Sequence, residues 1–150
     1  VKAAWTPPRN VKDFKSVLVS SSNALETSGT KKGLRFVSDH KSLYKERIVI
    51  LALLGSFTIP DIEDFEKVIN YYKKKKRKKI ILEMKNLQNM SSEALSVILK
   101  HARTLRRRNG GIVVINPNDK IGDELRISNA VKEVKVFKSY SDARKELLYG

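Results

Sequence analysis

The chain has 150 residues, 41% of them hydrophobic, which suits one domain plus some appended sequence and excludes global disorder. Cysteine is absent, so disulfide chemistry, thiol chemistry and cysteine-ligated zinc are excluded; the two histidines, His40 and His101, stand far apart without ligand-like spacing, and no metal or other cofactor is expected. Lys and Arg number 31 against 16 Asp and Glu, and the net charge of +15 favours polyanionic partners such as nucleic acid, anionic lipid or an acidic protein surface.

Residues 1–32 contain Pro7-Pro8, Ser20-Ser21-Ser22-Asn23 and Ser28-Gly29-Thr30, with little helical or strand periodicity. They read as a basic, mostly disordered N-terminal arm, and 33–150 as the folded domain. No apolar run approaches the roughly 18–20 residues of a membrane span. The longest, Ile48–Leu54, has the length of a buried strand. The N-terminus lacks the basic-then-apolar pattern of a signal peptide, so a cytoplasmic location is expected.

From Gly33 the pattern is that of an α/β domain. Leu34–Val37 suggests a first strand, and Glu46–Leu54 a second one, apolar enough to be buried on both faces. A tight connection at Gly55–Thr58 leads to a helix from Pro60 to about Lys74, with Ile62, Phe65, Ile69 and Tyr72 on one face. Lys79–Met84 makes a third strand. Ser91–Arg108 is a long amphipathic helix carrying Leu95, Ile98, Ala102 and Leu105, stopped by Asn109-Gly110-Gly111. Ile112–Ile115 is a fourth strand, 119–128 a short helix, Val134–Phe137 a last strand and Ser141–Leu148 a closing helix. Strands alternating with helices imply a mixed, mainly parallel sheet of about five strands packed with about four helices.

The stretch from Ile80 to Leu99 resembles the signature of STAS domains, the family of the bacterial anti-sigma factor antagonists. There an apolar strand with an acidic residue leads through a short loop into an Asp-Ser-Ser-Gly helix start. Gly55–Thr58 with the helix after it is similar to the family's first turn and helix. Arg106–Val114 is similar to its basic helix end and following strand, and the tail from Leu125 to Ala143 to its closing pattern. The resemblance covers roughly residues 33–148. It implies a STAS-like fold and a binding module rather than an enzyme. Family members work in partner switching: a serine at the helix start is phosphorylated by an anti-sigma kinase, and the dephosphorylated form binds that kinase.

Aligned without gaps from Met90 to Leu99, the family's aspartate falls on Ser91, its first serine on Ser92, its phospho-accepting serine on Glu93 and its glycine on Ala94. A one-residue gap would place Ser91 and Ser92 on the serine pair, with Ser92 open to phosphorylation. The partner-binding loop is thus expected at Ser91, Ser92, Glu93, Ala94 and Leu95. A helix N-terminus stabilises phosphate or carboxylate alike, so Glu93 reads either as a built-in imitation of the phosphorylated state or as an ordinary complement to the helix dipole behind a Ser91 N-cap.

Two basic clusters complete the reading. Lys73, Lys74, Lys75, Lys76, Arg77 and Lys78 form the first, Arg106, Arg107 and Arg108 the second. Both fall at helix C-termini, where the dipole favours cations. Helices antiparallel to the strands would bring both to one end of the sheet and the Ser91 loop to the other. The leading expectation is a non-enzymatic regulator that binds an anti-sigma factor or serine kinase-like protein. The alternative is a scaffold or accessory subunit held by its basic surface to nucleic acid or an acidic protein. No Gly-rich phosphate loop, nucleophile motif or carboxylate pair supports an enzyme; Asp61, Glu63 and Asp64 read as first-turn helix acids.

Overall fold

The computed structural model describes residues 33–39 and 47–149. The expected arm at 1–32, His40 and the expected strand start at Glu46 lie outside the described residues. The elements in chain order are β1 (Leu34–Asp39), β2 (Ile48–Phe57), α1 (Ile62–Lys74), β3 (Lys79–Glu83), β4 (Leu87–Met90), α2 (Ser92–Arg106), β5 (Gly111–Ile115), α3 (Asp119–Ile127), β6 (Val136–Phe137) and α4 (Tyr140–Tyr149). The sheet runs β1-β2-β3-β5-β6, with β4 also pairing with β2. β1 is antiparallel to β2, and the other pairings are parallel.

The mixed, mainly parallel sheet and the four helices match the sequence reading, with one strand more. β4 (Leu87-Gln88-Asn89-Met90) buries its ends and exposes its middle, so it lacks the period-two alternation that marks a strand in sequence. It forms because it lies beside the far end of β2, Gly55 against Leu87 and Phe57 against Met90. The same pairing carries β2 to Phe57, through most of the stretch expected as a tight connection at Gly55–Thr58. The register shifts between Gly55 and Ser56, where Gly55 takes φ +92°. A Cβ there would meet the Gly33 carbonyl oxygen at 2.1 Å, so the position tolerates only glycine.

From β2 onward each parallel crossover steps the same way along the sheet, so the right-handed crossover rule predicts α1, α2 and α3 on one face. The core has that arrangement. Val49, Leu51, Leu53, Ile80, Leu82, Ile112 and Val114 pack with Phe65, Ile69 and Tyr72 of α1, Ile98 and Leu105 of α2, and Ile121 and Leu125 of α3. The alternate residues Ile48, Ile81, Val113 and Ile115 face the other way, onto Ala143, Tyr140 and Leu147 of α4. Two-sided burial explains why these strands read as unbroken apolar runs.

Asp61 stands in a first helical turn as expected, and the structure adds that it is buried. That turn is a short 3-10 turn, Ile59–Asp61, which precedes α1. Its carboxylate accepts from the backbone N–H of Thr58 (3.0 Å), the Thr58 hydroxyl (3.2 Å) and the backbone N–H of Leu34 (3.3 Å). One side chain therefore ties the first residue of β1 to the start of α1.

Both long helices end on a left-handed residue. Lys76 (φ +59°) follows α1, with the Arg77 N–H donating to the Tyr72 carbonyl at 2.8 Å; Asn109 (φ +65°) follows α2, with the Gly110 N–H donating to the Leu105 carbonyl at 2.8 Å. A lysine in that conformation is strained by about 1–2 kcal/mol. Gly110 allows β5 to enter hard against β3, since a Cβ would sit 2.2 Å from the Lys78 carbonyl oxygen. These stops turn the chain straight back into the sheet and set the basic residues around one end of it.

Candidate functional site

At the carboxyl end of the parallel strands, the Ser91 backbone N–H donates to the Phe57 carbonyl at 2.9 Å. The chain leaves the sheet at both points in the same direction, because β2 and β4 are parallel. Ser91 takes extended dihedrals (φ −77°, ψ 162°) and its hydroxyl accepts from the Ala94 N–H at 3.1 Å, making it the N-cap of α2. Ser92 and Glu93 are exposed on the first turn, with the Ser92 hydroxyl donating weakly to the Glu93 carboxylate at 3.4 Å. Ala94 and Leu95 face the core instead, 0% and 7% exposed. Of the five residues expected on the binding loop, the structure presents Ser92 and Glu93 fully, Ser91 in part, and Ala94 and Leu95 not at all. The helix needs an apolar stripe against the sheet, and that stripe starts at Ala94.

The surface around this pair contains residues that sequence reasoning missed. Ile59, two residues past Phe57, is 60% exposed, large and apolar. Gln88 and Asn89 are exposed on β4, and Lys120 of α3 donates to the Asn89 side chain at 3.1 Å. Asn118, the N-cap of α3, donates to the carbonyls of Leu87 (3.2 Å) and Gln88 (3.1 Å) and so pins β4 against α3. The signal for Ile59 was its position between a threonine and a proline in a polar connection.

Beneath the loop, Glu83 ends β3. Its carboxylate accepts from the Lys85 backbone N–H (2.6 Å) and the Asn116 side-chain amide (3.2 Å), while burial pushes its protonation above the ordinary carboxylate range. Glu83 thus clamps the loop between β3 and β4 to the end of β5. Among the described residues no group of three or more His, Cys, Asp or Glu is placed to hold a metal, and no helix is long and apolar enough to cross a membrane.

The basic clusters divide. Lys73 turns inward, its Nζ 2.8 Å from His101 Nδ1, while His101 Nε2 lies 2.9 Å from the Glu66 carboxylate, which also accepts from Lys100 at 2.8 Å. An ammonium can only donate, so Nδ1 accepts and Nε2–H donates, and the ring is neutral. Burial lowers the His101 and Lys73 values, and the bond from Lys100 lowers that of Glu66. His101 is therefore a structural link between α1 and α2. Lys74 and Lys75 are exposed, Lys75 lying 5.8 Å from the Tyr71 ring centroid. Arg106 donates to the Glu133 carbonyl at 2.6 Å, and Arg107 is exposed. Lys76, Lys78 and Arg108 line one cleft with Arg47, Lys79 and Asn109, at the amino end of the parallel strands and opposite the Ser91 loop.

Comparison with known proteins agrees with this geometry. The family model of the STAS domain matches residues 43–143. A Thermotoga neapolitana protein named as a candidate anti-sigma factor antagonist is 26% identical over 103 residues, covering 68% of this chain and 91% of its own. Among solved structures, an anti-sigma factor antagonist from Mycobacterium paratuberculosis superposes with a TM-score of 0.66 at 11% identity, covering 79% of this chain and 97% of its own. The Bacillus protein SpoIIAA, solved unphosphorylated and phosphorylated, gives TM-scores of 0.63 and 0.58 at 17% identity, covering 75% of this chain and 96% and 99% of its own. Fold, strand order and family match coincide: the chain belongs to the STAS domain family.

Proposed function

We propose that the protein is a non-enzymatic, protein-binding regulator of the anti-sigma factor antagonist type, in which Glu93 supplies a permanent charge where relatives carry a switchable phosphoserine. The observation that carries the reading is the exposed Ser92–Glu93 pair on the first turn of α2, behind Ser91 as N-cap. Serine and aspartate are interchangeable at an N-cap, which supports the ungapped register that puts Ser91 on the family's aspartate and Glu93 on its acceptor serine. Glu93 brings one negative charge to the positive end of the helix, where a phosphoserine brings about 1.5–2. Ile59, exposed two residues past the Phe57 whose carbonyl holds the Ser91 N–H, offers an apolar anchor that a charged rim alone lacks. The partner chemistry is that of an anti-sigma factor or serine kinase-like regulator.

The test is incubation with an anti-sigma serine kinase and ATP, followed by intact mass and peptide mapping. The wild-type chain gains no stoichiometric phosphate, and Glu93→Ser restores an acceptor at residue 93. Clean modification of Ser92 in the wild type would instead establish the gapped register and a working switch.

A further inference from the structure

The cleft at the opposite end of the domain has a composition that the partner-binding reading does not use. It encloses about 360 Å³, lined by Arg47, Lys76, Lys78, Lys79, Arg108 and Asn109. Five cations from three separate chain junctions converge there, and among the described residues no carboxylate lines it. Five cations elsewhere on the surface are ion-paired: Lys67 with Glu63, Lys100 with Glu66, Arg103 with Glu133, Arg126 with Asp123, and Lys135 with Glu146. Among the described residues the five cations of the cleft have no such partner.

The backbone brings them together at some strain. Arg47, Lys76 and Asn109 all hold positive φ (57°, 59° and 65°), and all three line this cleft. Glycine would close both helices more comfortably. A lysine and an asparagine stand there instead, pointing donors into a concavity already crowded with positive charge.

We infer that this cleft binds the phosphate backbone of nucleic acid, without regard to sequence. Like charges held this close are stabilised by an anion of matching density, and a nucleic-acid strand offers one phosphate every few ångströms. Among the described residues no aromatic side chain lines the cleft, so bases find no stacking platform there and only the backbone is held. None of the exposed large apolar side chains, Ile59, Ile127, Val136 and Tyr149, lines it either. An acidic protein interface would need such an apolar centre. A second groove shares Lys79 and Asn109 and continues past Arg106, Lys132 and Lys135, with Glu133 and Glu146 also on its wall.

The test uses the full chain and a fluorescein-labelled, mixed-sequence single-stranded RNA of about 20 nucleotides, read by anisotropy across a salt series. The variant Lys76→Gly/Lys78→Gln/Arg108→Gln removes three cleft cations, and its glycine relieves rather than adds backbone strain, so circular dichroism serves as the folding control. The matched variant Lys120→Gln/Arg126→Gln/Lys138→Gln removes the same charge from exposed positions outside the cleft. The cleft variant should lose about tenfold or more in affinity and flatten the salt slope by roughly 0.7 for each phosphate it no longer neutralises. The matched variant should change less than about threefold. The inference is overturned if both variants weaken binding equally, if the wild type does not bind the RNA at low salt, or if anionic vesicles or polyglutamate bind more tightly than RNA and with the same dependence on the cleft.

Discussion

Lys73, the first of a run of basic residues, points its Nζ at Nδ1 of His101 across the α1–α2 contact, at 2.8 Å. His101 is 4% exposed and held neutral between that ammonium and Glu66, with Phe65 at its ring edge (centroids 6.3 Å). Burial lowers its protonation below the ordinary value of 6.5, so the unfolded chain takes up protons there before the folded one does. Stability from this group is therefore complete above pH 6.5 and falls as the pH drops below it. Glu66, lowered from 4.5 chiefly by Lys100, adds a second loss in the same direction below that pH. Glu83, raised by burial, takes up its proton sooner in the folded chain and so opposes these losses as the pH falls. Thermal melts should therefore lose more, or gain less, from pH 7 to pH 5 in the wild type than in His101→Gln, with the loss from Glu66 below pH 4.5 retained in both. Identical pH profiles for the two proteins from pH 7 to pH 5 contradict this assignment.

Phe65 packs against Phe57 (ring centroids 4.8 Å) and Phe36 (6.4 Å) at the centre of the three-helix face. Phe65→Ala should cost about 3–5 kcal/mol, enough to unfold a marginal domain at moderate temperature. Denaturant titration checks this, and a loss under about 1 kcal/mol would mean that the face is loosely packed.

Asp61→Ala leaves the Leu34 and Thr58 backbone N–H groups without their acceptor. The expected loss is about 1–3 kcal/mol, with hydrogen exchange at Leu34 and its neighbours in β1 accelerating more than exchange in β5. Uniform acceleration would separate Asp61 from the anchoring of β1.

The two left-handed helix stops should respond oppositely to substitution. Lys76→Gly relieves strain and should gain up to about 1 kcal/mol, the lost chain entropy of glycine offsetting part of it. Asn109→Ala puts a worse residue at the same kind of stop and should lose about 1 kcal/mol. Paired melting curves decide.

How much of this was legible in sequence depends on the kind of signal. The apolar runs Ile48–Leu54 and Ile80–Leu82 announced buried strands because both faces of the sheet are covered, and the stripes of α1 and α2 announced helices because only one face is. β4 was invisible, since Gln88 and Asn89 break alternation and only its pairing to Gly55–Phe57 makes it a strand. The tie of Asp61 to β1 was not legible because its three donors come from Thr58 nearby and from Leu34, and spacing reveals only the near ones. Lys73 was misread for a related reason. One lysine of a basic run faces the adjoining helix, and the composition of the run does not say which. The helix start at Ser91 was legible from cap chemistry, but the inward turn of Ala94 and Leu95 depended on packing.

The central claim, that the start of α2 is a partner-binding site tuned by a fixed charge at Glu93, is tested most directly by calorimetry with the protein partner recovered from cell extract at low and high salt. Glu93→Ser is compared with Asp142→Ser, an exposed acid on α4, which packs on the opposite face of the sheet. The account predicts a change in Kd of about tenfold or more for Glu93→Ser, the size of one charge-assisted contact, and less than about twofold for Asp142→Ser. Equal and negligible effects from both substitutions would contradict it.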